Sequence, residues 1–309
     1  MIDKNKSKLF SVICVVLVSA MLMVGCADLL YEDLEAELIS DLSAEEKFAY
    51  ELIIAIVDGE EEQAKQMLAD NNYDLNIAAP IIDGSIVLYT TPLHAACGMG
   101  YYELVQIMIE QGADVNFVTD RTNTSPLMAT ANNYNEKCVE VMKLLLAEGA
   151  DANYYSEGEK NALYRVIAYV DIENTRTCEM IDLLEKAGVD IHQEYEEEGN
   201  ILQIACNASM RSIGDDQLKI QAYLPIIKHL IEEKGFDVNM RKKDTGATPL
   251  VLVVLNDSCE PVVEYLLFHG ADKSLKDNAG KTAYDYVKMN IEDGSVKYEN
   301  PERLLELLK

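Results

Sequence analysis

Four histidines, seven cysteines and 54 carboxylates are the side chains of this 309-residue sequence that could do acid–base, nucleophilic or metal chemistry. Their spacing argues against all three. His94, His192, His229 and His269 fall in separate stretches, none with a second ligand at the spacing a zinc site needs. Cys14, Cys26, Cys97, Cys138, Cys178, Cys206 and Cys259 include no C-x-x-C pair and no cysteine–histidine nucleophile pattern. Carboxylates are so dense that a pair at catalytic spacing arises by chance. Asp114, Asp151, Asp190, Asp237 and Asp272 recur at one position of a periodic pattern, which predicts a turn role for each. The run from Glu194 to Glu198, interrupted by Tyr195, lacks the glycine and alternating ligands of a calcium loop and reads as a solvated tip. Gly98-Met99-Gly100 lacks the strand and the third glycine of a phosphate loop. No cofactor or metal is expected.

The elements that would position these residues are helices. From Thr91 to Asn116 the chain reads as one helix-turn-helix unit, with Thr91 as cap and Pro92 at the first helical position. Gly98 and Gly100 break the first helix. Leu104, Val105, Ile107, Met108 and Ile109 give the second its apolar stripe, and Gly112 closes it in the left-handed conformation. Neither helix can bury that stripe alone, so similar units must stack on either side. Further units start at Ser125, Asn161, Asn200, Thr248 and Thr282, and the Ser43/Glu46 capping box opens a first, capping one. Asn300-Pro301 starts the closing helix. Ile81-Ile82-Asp83-Gly84-Ser85-Ile86-Val87-Leu88-Tyr89 carries the signal of a β-hairpin.

The stretch T-P-L-H-A-A at Thr91–Ala96, followed by G-A-D-V-N at Gly112–Asn116, resembles the ankyrin repeat. The resemblance implies an all-α ankyrin-repeat solenoid, stacked helix-turn-helix units with β-hairpin fingers, about seven units including both caps, over residues 44–309. It implies that the His94 ring bonds the Thr91 hydroxyl and orders the turn. Unit starts lie further apart than the repeat's about 33 residues, which marks insertions near Asn132–Lys137, Val170–Thr177 and Met210–Gln221, expected as loops opposite the fingers. Cys97, Cys138, Cys178, Cys206 and Cys259 fall at helix-packing separations, too far apart for disulfides, and read as small core or semi-buried residues.

Ankyrin-type proteins bind other proteins through finger tips and the exposed side of the first helices. The positions matching the variable ones are Val87, Leu88, Thr90, Met99, Arg121, Thr122, Thr124, Asn278, Ala279 and Lys281, and Arg241-Lys242-Lys243 also falls on a finger. The partner is therefore expected to be a protein, and the chain itself a non-enzymatic monomer. An immunity-type or host-directed inhibitor is a subclass of this reading, and a hydrolase built on the repeat face is the rival from another class. A formal charge of −28 repels phosphate backbones and argues against nucleic acid as partner.

The start of the chain has its own pattern. Lys4, Lys6 and Lys8 precede the uncharged run Leu9–Gly25, which reads as a signal peptide over residues 1–25. Its end, Leu22-Met23-Val24-Gly25-Cys26, resembles the lipobox of bacterial lipoproteins, with Met23 where leucine is usual. The resemblance implies lipidation at Cys26, an acidic tether over residues 26–43, and a membrane-anchored, extracytoplasmic protein. An uncleaved anchor helix is the alternative, and it places the rest of the chain on the same side.

Overall fold

The computed structural model describes residues 39–69, 73–83, 86–119, 123–131, 137–156, 160–168, 170, 176–208, 216–255 and 260–309. The leader, Cys26 and most of the tether lie outside them, as do Arg121 and Thr122. Among the described residues are fourteen α-helices that pair off into seven units, and no helix long and apolar enough to cross a membrane.

The chain forms two compact units. The first takes the described residues up to Ala96 together with Glu103–Asn123. It opens with α1 (Ala44–Val57), whose Ser43 hydroxyl accepts from the Glu46 amide while the Glu46 carboxylate accepts from the Ser43 amide, the expected capping box. Helix α2 (Glu61–Ala69) follows, then strands β1 (Ala79–Asp83) and β2 (Ile86–Thr90), paired antiparallel from Ala79↔Thr90 to Asp83↔Ile86. Ala49, Tyr50 and Ile53 of α1 pack with Ala79 of β1, so the hairpin is rooted in the first core. Helices α3 (Pro92–Met99) and α4 (Tyr102–Glu110) come next.

The second unit takes Cys97–Tyr102 and Thr124–Lys309. Its pairs are α5 (Pro126–Thr130) with α6 (Cys138–Ala147), α7 (Ala162–Ala168) with α8 (Thr177–Lys186), and α9 (Ile201–Ala208) with α10 (Asp216–Lys228). After them come α11 (Pro249–Val254) with α12 (Glu260–Phe268), and α13 (Ala283–Asp293) with α14 (Pro301–Leu308). The first helices are far too short to stand alone in water. Packing makes them helical: every residue of α5 and of α11 is buried. Second helices bury one stripe only, as in α6, where Val139, Met142 and Leu145 are buried and Glu140 is exposed. Their outer sides carry ion pairs between neighbouring units, Lys143 to Glu179 at 2.8 Å and Lys234 to Asp182 at 2.6 Å.

The turns recur as the carboxylate pattern predicts. Gly112, Gly149, Gly188 and Gly270 close second helices at φ between 89° and 94°. The next amide then reaches back to the helix, as from Ala113 to the Met108 carbonyl at 2.9 Å and from Ala271 to Leu266 at 2.9 Å. Asp114, Asp151, Asp190, Asp237 and Asp272 each accept from the amide two residues on at 2.8 to 2.9 Å. Asn239 extends this to the next unit, accepting from the Asp272 amide at 2.7 Å and donating to the Gly270 carbonyl at 3.0 Å.

One insertion departs from expectation. Residues 216–221 were expected in a loop and instead begin α10, which contains Pro225 and continues as a π-helical turn, His229–Glu233. Proline cannot donate to the ladder, and after the wider π-helical turn the Phe236 amide reaches Leu230, where other units reach one residue less far.

Candidate protein-binding face

Each finger is anchored by the cap of the first helix that follows it. In the first unit the Thr91 hydroxyl lies 2.8 Å from His94 Nδ1 and accepts from the His94 amide at 3.4 Å, as the sequence implied. His94 is buried and meets Phe117 edge-on. It is a structural residue. The second unit meets the same need with other side chains. Asn161 Oδ1 accepts from the Tyr164 amide at 3.0 Å and from the Tyr195 hydroxyl of the next finger at 2.7 Å. Asn200 and Gln203 cap each other reciprocally, both at 3.0 Å, and Gln203 donates to the Met240 carbonyl of the following finger at 2.9 Å.

Three consecutive fingers of the second unit, around residues 194–199, 240–247 and 277–281, are stitched together. Lys243 pairs with Glu194 at 2.7 Å, and Lys242 donates to the Glu197 carbonyl. The Asn278 amide and side chain donate to the Thr245 and Asp244 carbonyls, both at 2.8 Å, while Arg241 donates to the Gly246 carbonyl at 3.2 Å and to Asn278 Oδ1 at 3.4 Å. Gly246 permits this approach. At φ 71°, a Cβ there would sit 2.4 Å from Asn278 Oδ1 and 2.6 Å from Arg241 Nη2. Burial works to raise the Asp277 carboxyl, but the Tyr286 hydroxyl and the Lys281 and Ala279 amides outweigh it and hold it below the usual range. Burial, together with that carboxylate, pushes Tyr286 up to about 12.

The expected contact residues divide. Leu88 and Thr90 are half-buried on β2 beside Ile81 and Ala79, and Val87 pairs with Ile82 through its backbone. Met99 ends α3, half-buried. Ala279 is exposed. Thr124 is a correction: it is 8% exposed, turned inward, and accepts from Arg165 of the next first helix at 3.3 Å. Asn278 is exposed but spends its amide on the neighbouring finger, and Lys281 is half-buried, its ammonium 3.1 Å from Met289 Sδ and over the Tyr286 ring. Sequence reasoning missed the stitching, because it depends on side chains about one repeat apart.

No group of three or more His, Cys, Asp or Glu side chains among the described residues could hold a metal. Cys97, Cys138 and Cys206 are buried and in no disulfide, and burial pushes Cys178 up to about 11, away from the reactive thiolate. Cys259 lies outside the described residues.

Comparison with known proteins agrees with the stack. A family model described as "Ankyrin repeats (3 copies)" matches residues 52–156, and one described as "Ankyrin repeat" matches 245–278. The chain carries ankyrin repeats. The ankyrin repeat and KH domain-containing protein mask of Drosophila melanogaster is 32% identical over 34% of this chain and 2% of its own length. Human ankyrin repeat and SOCS box protein 6 is 24% identical over 69% of this chain and 41% of its own. The chain thus spans well under two thirds of these relatives. The crystal structure of the human ASB11 ankyrin repeat domain superposes with a TM-score of 0.58 at 22% identity, covering 84% of this chain and 97% of that one. The fold is an ankyrin-repeat solenoid.

Proposed function

We propose that the protein is a membrane-anchored, extracytoplasmic scaffold that captures a protein partner on its ankyrin fingers, acting by binding and not by catalysis. The observation that carries this is the stitched finger row of the second unit. Its backbone is held by neighbouring fingers, while the tips remain exposed at Glu196, Lys243 and Ala279, a preorganised surface with little ordering left to do on binding. The relatives' ankyrin repeats support the binding class. The lysines at the start, the uncharged run and Cys26 support the anchor.

Affinity capture from membranes tests the reading. The parent is expected to retain a specific protein, and a Glu196→Lys/Ala279→Glu variant, changed at two exposed tips, to lose it while melting within a few degrees of the parent, since exposed changes stay within about ±0.5 kcal/mol. Retention unaffected by these changes but abolished by substitutions in 210–221 would place the partner on the opposite side.

A further inference from the structure

Arg241 differs from the ion-paired cations of the second unit. Arg176 and Arg303 pair with Glu179 and Glu264, and Lys143, Lys234 and Lys243 also meet carboxylates. Arg241 is exposed, yet its bonds go to two neutral acceptors, and no described carboxylate lies within ion-pair distance of it. The carboxylates of its own and the next finger are taken. Asp244 is held by Lys242 at 3.3 Å and the Thr245 amide at 2.7 Å, and Asp277 by Tyr286, Ala279 and Lys281.

The two bonds use one edge of the guanidinium. Nε and Nη2 donate to the Gly246 carbonyl and Asn278 Oδ1, which fixes the plane of the fork, and Gly246 leaves the room a Cβ would fill. An arginine carries five N–H donors. Three remain, two on Nη1 and one on Nη2, and one from each nitrogen forms the pair at the end of the fork that takes a carboxylate in two parallel bonds.

We propose that the free end of Arg241 is a recognition point for a carboxylate of the partner, an acidic side chain or chain terminus seated between the fingers at 240–247 and 277–281. This rests on the finger-binding reading. The anchoring makes Arg241 more than a local excess of charge, because a lysine there keeps the charge and loses the fork.

The test titrates full-length protein, labelled at arginine and glycine, with a blocked hexaglutamate peptide, following the Arg241 Nε–H and Gly246 amide signals. A saturable shift is expected with hexaglutamate and none with hexaglutamine, and R241K is expected to lose the response while its melting curve matches the parent. Absence of a saturable shift in the parent overturns the proposal whatever the variant does. So does an R241K protein that binds the peptide as the parent does. If inorganic phosphate moves the same signals and displaces the peptide, the edge belongs to a phosphate group and the carboxylate assignment falls. Partner capture with the Glu196 and Ala279 changes does not depend on Arg241, so a failed titration leaves the finger reading standing.

Discussion

Gly246→Ala, set against Gly270→Ala, measures what the stitching between fingers contributes. Both glycines have positive φ, 71° and 90°. An L-residue in that conformation costs roughly 1–2 kcal/mol, so this part is common to the two variants. The difference lies in the surroundings: a Cβ at Gly270 meets nothing within 4 Å, whereas at Gly246 it meets Asn278 Oδ1 at 2.4 Å and Arg241 Nη2 at 2.6 Å. Relief of those contacts must break the bonds of Arg241 to the Gly246 carbonyl and to Asn278. At a net of about 0.5–1.5 kcal/mol each, Gly246→Ala should be more destabilising than Gly270→Ala by about 1–3 kcal/mol. Urea unfolding gives the difference, and amide exchange localises it, because the Asn278 N–H that bonds the Thr245 carbonyl at 2.8 Å should lose protection only in Gly246→Ala. Equal unfolding free energies within about 0.5 kcal/mol, or an unchanged Asn278 amide, would show that the fingers hold together without these side chains.

Other perturbations follow from the same structure. Leu145→Ala, at a fully buried position of α6, should cost about 2–5 kcal/mol in urea unfolding; a cost below 1 kcal/mol would mean that the helix pairs repack freely. Asp277 is held below the usual carboxylate range in the fold, so its contribution is complete above about pH 4 and declines as pH falls through its lowered folded value. Asp277→Asn should therefore flatten the acid side of the stability profile, read by thermal melts across pH, and an unchanged profile would count against the Tyr286–Asp277 bond. Cys26→Ser should abolish lipid attachment and membrane fractionation, and a variant that still fractionates with membranes like the parent would dismiss the lipoprotein reading.

What could be read from the sequence was whatever short-range chemistry fixes. The Ser43–Glu46 box, the Thr91–His94 turn, the left-handed Gly112 and the recurring aspartate turns all join residues at most a few positions apart, and all stand in the structure as expected. The hairpin and the seven helix pairs follow from periodicity and from the same turn signals. Contacts one repeat long were not legible. Arg241 meets Asn278 across 37 positions and Arg165 meets Thr124 across 41, so neither the stitched fingers nor the inward turn of Thr124 leaves a local signature. The start of α10 was hidden for a different reason: Pro225 and the polar residues before it imitate a loop, and only packing of Tyr223, Ile226 and Ile227 makes the stretch helical.

Complete burial of α11 bears on how this protein can fail. Leu250-Val251-Leu252-Val253-Val254 is rich in β-branched residues, uncharged and free of internal proline, a composition that prefers extended strands. It is helical because its surroundings cover every side of it. Local opening of the helix pairs around it would uncover five adjacent apolar residues with no charge between Thr248 and Asp257 to interrupt strand pairing with another molecule. Aggregation under mild heat should therefore begin in this segment, before the chain as a whole has lost its helices.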